Sequence, residues 1–148
     1  MFREAELAHS RVAMMGTLGY LVQSHFAPMF AVDNAPVIRQ LDQVLTTESG
    51  ELIGSCLLMA VWFSEFARAR IGWVEPEEEM RTLRENYAPG DLGFDPLNLK
   101  PEDPEEFRLM QEKELSHARL AMIAAAGFLA QEAVSGQTWG TYWGDASF

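Results

Sequence analysis

Residues 6–23 have the sequence ELAHSRVAMMGTLGYLVQ, and residues 114–131 have the similar sequence ELSHARLAMIAAAGFLAQ. The two segments are related by a shift of 108 residues, and nine of their 18 aligned positions are identical. Four of the nine identities are polar (a glutamate, a histidine, an arginine and a glutamine) within otherwise apolar helical patterns. Packing alone would repeat the apolar positions and not the polar ones, so this internal repeat indicates a shared chemical role.

Helical geometry separates the four repeated polar side chains into two groups. At about 100° per residue, the glutamate, histidine and glutamine share one broad face, whereas the arginine lies about 140° from the glutamate. The arginine therefore cannot conveniently pair with the glutamate of its own helix. If the two repeats cross as a two-fold-related pair, Arg119 reaches Glu6 and Arg11 reaches Glu114. Such crossed ion pairs would neutralise four charges in apolar surroundings, where an unpaired charge is costly.

Formal charges are unevenly distributed along the chain. Three stretches in the apolar helical patterns contain no Asp, Glu, Lys or Arg: residues 12–32, 52–64 and 120–131; after Glu132 the chain is again free of formal charge until Asp145. A helix needs about 20 predominantly apolar residues to cross a bilayer, which the first stretch meets and the other two meet only with charges at their ends. The pattern predicts an all-α membrane protein with three transmembrane helices, at about residues 4–29, 50–72 and 104–134. A soluble bundle with three buried helices remains the alternative.

The composition excludes several classes of function. With 22 acidic and 11 basic residues, the formal net charge is −11, which argues against a nucleic-acid partner because affinity for phosphate comes from clustered Lys and Arg. A single cysteine, Cys56, excludes an internal disulfide and a cysteine-based zinc site. The length predicts one domain, residues 1–148. No cleavable signal or transit segment is expected, because the chain begins almost at the first predicted helix.

The glutamate, histidine and glutamine of each repeat can each donate one axial oxygen or nitrogen to a metal that a planar macrocycle already holds. The magnesium of chlorophyll is such a metal, since it prefers oxygen and nitrogen donors and the ring fills its in-plane positions. One side chain per ring is sufficient, unlike the convergent ligands of a zinc site. Two alternatives remain open. One is a haem-binding helical bundle that uses His9 and His117, and the other is a metal-dependent hydrolase that adds Glu6 and Glu114 to these histidines.

Residues 6–14, ELAHSRVAM, and residues 114–122, ELSHARLAM, match a motif of the light-harvesting chlorophyll-binding antenna proteins of chloroplasts, Glu-x-x-(His/Asn)-x-Arg-x-Ala-Met. The loop at residues 89–97, PGDLGFDPL, is similar to the family's segment before the third helix. The resemblance covers nearly the whole chain. The linker at residues 35–44 and the short interhelix connections resemble the red-lineage branch, which includes chlorophyll a/c antennae with fucoxanthin- or peridinin-type carotenoids.

The resemblance implies a role for each position that matches a family motif, and the internal repeat extends one of these roles to Gln23. Seven side chains would act as axial magnesium ligands of chlorophylls: Glu6, His9, Gln23, Glu65, Glu114, His117 and Gln131. Arg11 and Arg119 would support these sites through the inter-helix ion pairs. His25, which has no counterpart in the third helix, is a further candidate ligand. Five loop residues would contact carotenoid ends: Asp91, Phe94, Asp95, Pro96 and Leu97.

The chain departs from the family pattern at two positions. In the second helix the family has a glutamine, then seven residues, then Glu-x-x-Arg. Glu65 and Arg68 fit the second half of this pattern, but Leu57 occupies the glutamine position, so a chlorophyll there needs another ligand. His117 stands where green-plant relatives usually have asparagine, which keeps a ligand but changes its basicity.

The resemblance implies a light-harvesting protein without enzymatic activity that crosses the plastid (chloroplast) thylakoid membrane several times. Expected cofactors are chlorophyll a, chlorophyll c and carotenoids of the fucoxanthin, peridinin or diadinoxanthin type, with a bound lipid as a further candidate. Expected partners are the core of photosystem I or photosystem II, other antenna subunits and thylakoid lipid. A photoprotective member of the same family, which dissipates excitation as heat, is the closest alternative.

Overall fold

The computed structural model describes residues 1–25 and 36–138, together with residues 141 and 144. Most of these residues belong to four helices, in the order α1 (Phe2–His25), α2 (Val37–Leu45), α3 (Glu48–Gly72) and α4 (Pro104–Ser135). Within this part of the chain, β structure is limited to an isolated antiparallel bridge between Trp73 and Leu83. The expected helical architecture is therefore confirmed for the described residues.

Three of the four helices, α1, α3 and α4, correspond to those expected from the sequence. α1 begins two residues earlier than expected, and its expected last turn, at residues 26–29, lies outside the described residues. α4 begins at Pro104, where the side chain of Asp103 accepts a hydrogen bond from the backbone N–H of Glu106 at 3.2 Å. An N-cap aspartate followed by a proline at the first helical position favours this start.

α1 packs against α4, and small side chains lie at the crossing. Ser10 and Ala118 are both completely buried, and they occupy equivalent positions of the repeat, 108 residues apart. Small side chains allow two helices to approach closely. A second equivalent pair, Tyr20 and Phe128, stacks with ring centroids 5.9 Å apart. The two repeats therefore meet through matching residues.

α3 is the one helix among the described residues that is long and apolar enough to cross a membrane. Its large apolar side chains are nevertheless exposed, with Leu58 at 73% and Trp62 at 57%. The residues of α3 that are not exposed are Gly50, Gly54, Arg68 and Gly72. A helix in a soluble bundle would bury an apolar face against its neighbours. The exposure of α3 therefore disfavours the alternative of a soluble bundle with three buried helices.

α2 is not among the helices expected from the sequence. Pro36 precedes it and provides no side-chain cap. Instead, the carboxylate of Glu132 in α4 accepts a hydrogen bond from the backbone N–H of Ile38 at 3.0 Å. Glu132 is 2% exposed, so its charge lies close to the positive end of the α2 dipole, where an anion is favourable. α2 also contacts α3 closely at Gly50, where any side chain would collide with the carbonyl of Val44.

Candidate functional site

Two ion pairs join the N-terminal halves of α1 and α4. Arg11 Nε donates to Glu114 Oε1 at 2.9 Å, and Arg119 Nε donates to Glu6 Oε1 at 2.8 Å. The shift of 108 residues converts one pair into the other, because it relates Glu6 to Glu114 and Arg11 to Arg119. These are the crossed pairs that the helical position of the arginine predicts. Each glutamate is thus held by the other helix and not by its own repeat.

The second oxygen of each of these glutamates has different surroundings. Glu6 Oε2 lies 3.1 Å from Arg3 Nη1, so both of its oxygens face guanidinium groups. Glu114 Oε2 has no hydrogen-bond partner among the described residues. The position of Arg3 is occupied in the second repeat by Gln111. Glu114 therefore keeps one oxygen free for a metal ion, whereas at Glu6 a metal competes with Arg3.

The two histidines of the repeat have matching hydrogen bonds. His9 Nδ1 lies 2.7 Å from the carbonyl oxygen of Ala5, and His117 Nδ1 lies 3.0 Å from that of Lys113. A carbonyl oxygen only accepts, so Nδ1 carries the hydrogen, and in the neutral imidazole Nε2 then has the lone pair. Both side chains are exposed on the helix surface. A histidine oriented in this way by a backbone carbonyl is suited to bind a metal through Nε2.

Glu65 and Arg68 form another carboxylate–guanidinium pair, within α3. Arg68 Nε donates to Glu65 Oε2 at 3.0 Å, and Arg68 Nη2 donates to the same oxygen at 2.5 Å. Both bonds use one oxygen and leave Glu65 Oε1 available. Leu57, which stands at the family's glutamine position, carries no donor atom and its side chain is exposed. This position therefore provides no axial ligand of its own.

The remaining candidate ligands lie at the C-terminal ends of α1 and α4. Gln23 is exposed, whereas Gln131 is partly buried and its Nε2 has no hydrogen-bond partner in the part of the chain that the structure describes. Each glutamine follows its repeat's glutamate by 17 residues, or about 26 Å along a helix. His25 is the last residue of α1, and its side chain lies outside the described part of the structure. The glutamates and the glutamines are therefore at opposite ends of the α1–α4 pair.

The loop before α4 is ordered by two aspartates. Asp91 accepts hydrogen bonds from Lys100 Nζ at 2.6 Å and from the backbone N–H of Gly93 at 3.1 Å. Asp95 accepts from the backbone N–H groups of Leu99 at 3.0 Å and Lys100 at 2.8 Å. The Lys100 ammonium holds the pKa of Asp91 below its usual value, and the Leu99 and Lys100 amides do the same for Asp95.

Within the same loop, the apolar side chains point into open space. Phe94 is 85% exposed and Leu97 is 75% exposed, although the aspartates on either side of Phe94 are hydrogen-bonded. Pro96, between Asp95 and Leu97, is also exposed. The five loop residues expected to contact carotenoid ends thus form a rigid polar frame that carries an exposed apolar surface.

Sequence reasoning missed Glu4, whose carboxylate bonds to three residues outside α1. Its side chain is 3% exposed and pairs with Arg68 Nη1 at 3.0 Å. It also accepts hydrogen bonds from Tyr87 Oη at 3.0 Å and from the backbone N–H of Gly90 at 2.8 Å. These partners lie 64 to 86 residues away, so no local pattern indicates them. Burial raises the pKa of the Tyr87 hydroxyl, and its hydrogen bond to Glu4 adds to this effect.

The four residues that a metal-dependent hydrolase would use do not form a shared site. Among the described residues, no group of three or more His, Cys, Asp or Glu side chains could hold a metal ion together. Glu6 and Glu114 are engaged by arginines instead. The donors are separate from one another, an arrangement that would suit metal ions that a macrocycle already binds from four sides.

Known proteins are similar to this chain over most of its length. The model of the chlorophyll a-b binding protein family matches residues 1–133. A chloroplastic fucoxanthin-chlorophyll a-c binding protein of Isochrysis galbana is 56% identical over 150 residues, which cover 99% of this chain and 70% of that protein. The chloroplastic light-harvesting complex stress-related protein 3.2 of Chlamydomonas reinhardtii is 44% identical over 140 residues, which cover 90% of this chain and 52% of that protein.

A second fucoxanthin-chlorophyll a-c binding protein, from Chattonella marina var. antiqua, is 36% identical over 138 residues, which cover 91% of this chain and 57% of that protein. This chain therefore spans between about half and 70% of the length of these relatives. The family predicted from the paired motif is confirmed, and the relative from Isochrysis galbana supports its red-lineage branch. The chain belongs to the chlorophyll a-b binding protein family.

Proposed function

We propose that this protein is a light-harvesting antenna of the chlorophyll a/c type, which binds chlorophylls and carotenoids and transfers excitation energy to a photosystem. The observation that carries the proposal is the matched half-site in α1 and α4. Each half-site combines a glutamate held by the opposite arginine with a histidine whose Nε2 is free. The relative from Isochrysis galbana supports the pigment class. Such a protein performs no bond chemistry, because its task is to hold pigments in fixed positions.

The ligands of the chlorophyll magnesium ions would be the donors of the two repeats and of α3, and at Glu6 the magnesium ion would take the place of Arg3 at Oε2. Glu6, His9, Glu114 and His117 would hold chlorophylls near one end of the α1–α4 pair. Gln23 and Gln131 would hold chlorophylls near the other end, with His25 as a further candidate. Glu65 would hold one on α3. Chlorophyll supplies the absorption of light and the transfer of excitation, and the chain supplies the position and polarity of each ring.

We further propose that α1, α3 and α4 each span the membrane and that α1 and α4 form a pseudo-two-fold pair. Three observations support the symmetry: the 108-residue shift converts one ion pair into the other, the equivalent residues Ser10 and Ala118 are both completely buried, and the equivalent rings of Tyr20 and Phe128 stack. At about 1.5 Å per residue, helices of 24, 25 and 32 residues are each long enough to cross the hydrocarbon layer. The pairing of charges makes α1 and α4 compatible with lipid.

The carotenoids of the proposed antenna, of the fucoxanthin, peridinin or diadinoxanthin type, would end at the loop frame of Asp91, Phe94, Asp95, Pro96 and Leu97. The exposed Phe94 and Leu97 supply apolar contact beside two fixed carboxylates. The single domain, residues 1–148, would reside in the chloroplast thylakoid membrane. There it would contact thylakoid lipid, other antenna subunits and the core of photosystem I or photosystem II.

The proposal is tested by refolding the chain in detergent with chlorophyll a, chlorophyll c and fucoxanthin. We expect a red chlorophyll absorption band and chlorophyll a fluorescence on excitation of the carotenoid or chlorophyll c. His117→Leu should lose one chlorophyll, whereas the matched control Ser116→Ala should lose none, since the Ser116 hydroxyl is bonded to the Glu112 carbonyl. A chain that is soluble without detergent and shows only a Soret-type spectrum would instead support the haem-binding alternative.

A photoprotective role in the same family is the second candidate, and the observation that favours it is the 44% identity to a stress-related light-harvesting protein. The two roles differ in the fate of the excitation. Fluorescence lifetimes of the pigmented protein at neutral and acidic pH separate them. A lifetime that shortens at acidic pH supports energy dissipation, and a long lifetime that does not change supports light harvesting.

A further inference from the structure

The carboxylate of Glu4 joins three parts of the chain. Glu4 lies in the first turn of α1, Arg68 lies near the end of α3, and Tyr87 and Gly90 belong to the loop before α4. Glu4 Oε1 accepts a hydrogen bond from Arg68 Nη1, and Glu4 Oε2 accepts hydrogen bonds from the Tyr87 hydroxyl and the backbone N–H of Gly90. A buried carboxylate is stable only when its oxygens are satisfied in this way.

Arg68 is shared between Glu4 and Glu65. Its Nη1 donates to Glu4, while its Nε and Nη2 both donate to Glu65 Oε2. The guanidinium group is planar and rigid, so a bond that fixes one edge also fixes the direction of the other. The Glu65 side chain is 52% exposed, and an exposed pair of this kind is weakly ordered by itself. The buried bond to Glu4 therefore determines where the Arg68–Glu65 pair lies.

The shift of 108 residues, applied two positions before each repeat begins, provides a comparison for Glu4. It relates Glu4 to Glu112. The Glu112 side chain is 60% exposed, and its carboxylate pairs with Arg108 of the same helix at 3.3 Å. It makes no bond to another helix among the described residues. The shift relates the two positions in sequence, but only the first connects to α3.

We propose that Glu4 is a positioning residue for Glu65. By holding Arg68, it keeps Glu65 Oε2 engaged and directs Glu65 Oε1 to a chlorophyll magnesium ion, so that the pigment on α3 is bound only when α1, α3 and the loop are joined. This inference rests on the proposed function, in which Glu65 is a chlorophyll ligand. It adds a residue that touches no pigment, and it makes one site on α3 depend on the first turn of α1.

The experiment compares four chains refolded with the same pigments: the unchanged protein, Glu4→Gln, Glu112→Gln and Glu65→Ala. The readouts are chlorophylls per chain and the difference absorption spectrum against the unchanged protein. We expect Glu65→Ala and Glu4→Gln each to lose the same one chlorophyll, with superimposable difference spectra. Glu112→Gln should match the unchanged protein. The double variant Glu4→Gln/Glu65→Ala should lose no more than either single variant.

The outcomes separate the inference from the proposed function. If Glu65→Ala loses no chlorophyll, the ligand role of Glu65 is wrong. If Glu65→Ala loses one chlorophyll and Glu4→Gln loses none, Glu4 does not position that ligand. If Glu4→Gln loses several pigments together, it holds the whole helix bundle, and the specific role is equally overturned. Tyr87→Phe, which keeps the Arg68–Glu4 pair, should retain every chlorophyll.

Discussion

Replacement of Gly90 with alanine tests how tightly the loop before α4 packs against α1. Gly90 has a φ of +86°, in the left-handed region that side chains disfavour. A Cβ at this position would lie 2.6 Å from Leu7 Cδ1 and 3.2 Å from Arg11 Nη2. Leu7 is 8% exposed and cannot move freely, and the Gly90 N–H is bonded to Glu4. Neither the loop nor the helix can therefore yield without breaking another contact.

Two costs add for this substitution. The left-handed conformation costs a residue with a Cβ about 1–2 kcal/mol. Overpacking against an enclosed leucine costs about 1–3 kcal/mol more. The free energy of unfolding should therefore fall by about 2–5 kcal/mol, and at about 2–4 °C per kcal/mol the midpoint should fall by about 4–20 °C.

Gly93→Ala is the matched control for this prediction. Gly93 also has a positive φ, +69°, but nothing lies within 4 Å of a Cβ built there. Only the conformational cost of about 1–2 kcal/mol applies, so the midpoint should fall by about 2–8 °C. Thermal unfolding of both refolded variants in one detergent, followed by far-UV circular dichroism, gives the comparison. Equal losses for the two variants would refute the claim that Gly90 is required by its contact with α1.

Three further predictions concern the ion pairs, the loop and α2. Glu114→Ala should lose one chlorophyll, and unchanged pigment content would contradict the ligand role. A double-mutant cycle with Arg11→Ala should give a coupling of about 0.5–1 kcal/mol in the free energy of unfolding in detergent. The coupling is small because the side chains of Glu114 and Arg11 are 33% and 40% exposed. The pKa values of Asp91 and Asp95 are lowered from 3.8, so their stabilisation of the loop is complete above that pH and is lost as the pH falls through the lower folded-state values. Pepsin cleavage within residues 91–100 should accelerate as the pH falls below about 4 in the unchanged protein and accelerate less in Asp95→Asn, where only Asp91 still titrates; the same acceleration in both would count against the role of Asp95. Glu132→Ala should lower the free energy of unfolding by about 1–2 kcal/mol, because α2 loses the anion at its N-terminus. The control Val134→Ala, at a position 90% exposed, should change the free energy little in the same thermal assay. Equal effects of the two substitutions would oppose the capping role.

The sequence allowed α1, α3 and α4 to be predicted because each has a long apolar run, and α4 also has Asp103 and Pro104 at its start. The Arg11–Glu114 and Arg119–Glu6 pairs could be predicted because equal spacing in two helices leaves few ways to pair the charges. These features depend on local pattern or on the repeat. Both kinds of information are present in a single sequence.

The features that could not be predicted depend on contacts between distant residues. α2 has only nine residues and no side-chain cap of its own, and its N-terminus is stabilised by Glu132, which lies 94 residues after Ile38. Short helices of this kind gain their stability from tertiary contacts. Glu4 likewise has no local signal, since Arg68, Tyr87 and Gly90 come together with it only in the folded chain.

The exchange of arginines between α1 and α4 affects how the protein folds, because each ion pair needs both helices. Glu6 and Glu114 obtain their partners from residues 113 and 103 positions away, so neither half of the chain can finish its own site. The chain must lose the entropy of closing a loop of more than 100 residues before either ion pair can stabilise the fold. A chain cut short before α4 would leave Arg11 without its partner and Glu6 with Arg3 alone, and charges left unpaired in lipid are strongly unfavourable. Under the proposed function, stable pigment binding at these positions would therefore distinguish a fully assembled molecule from an incomplete one.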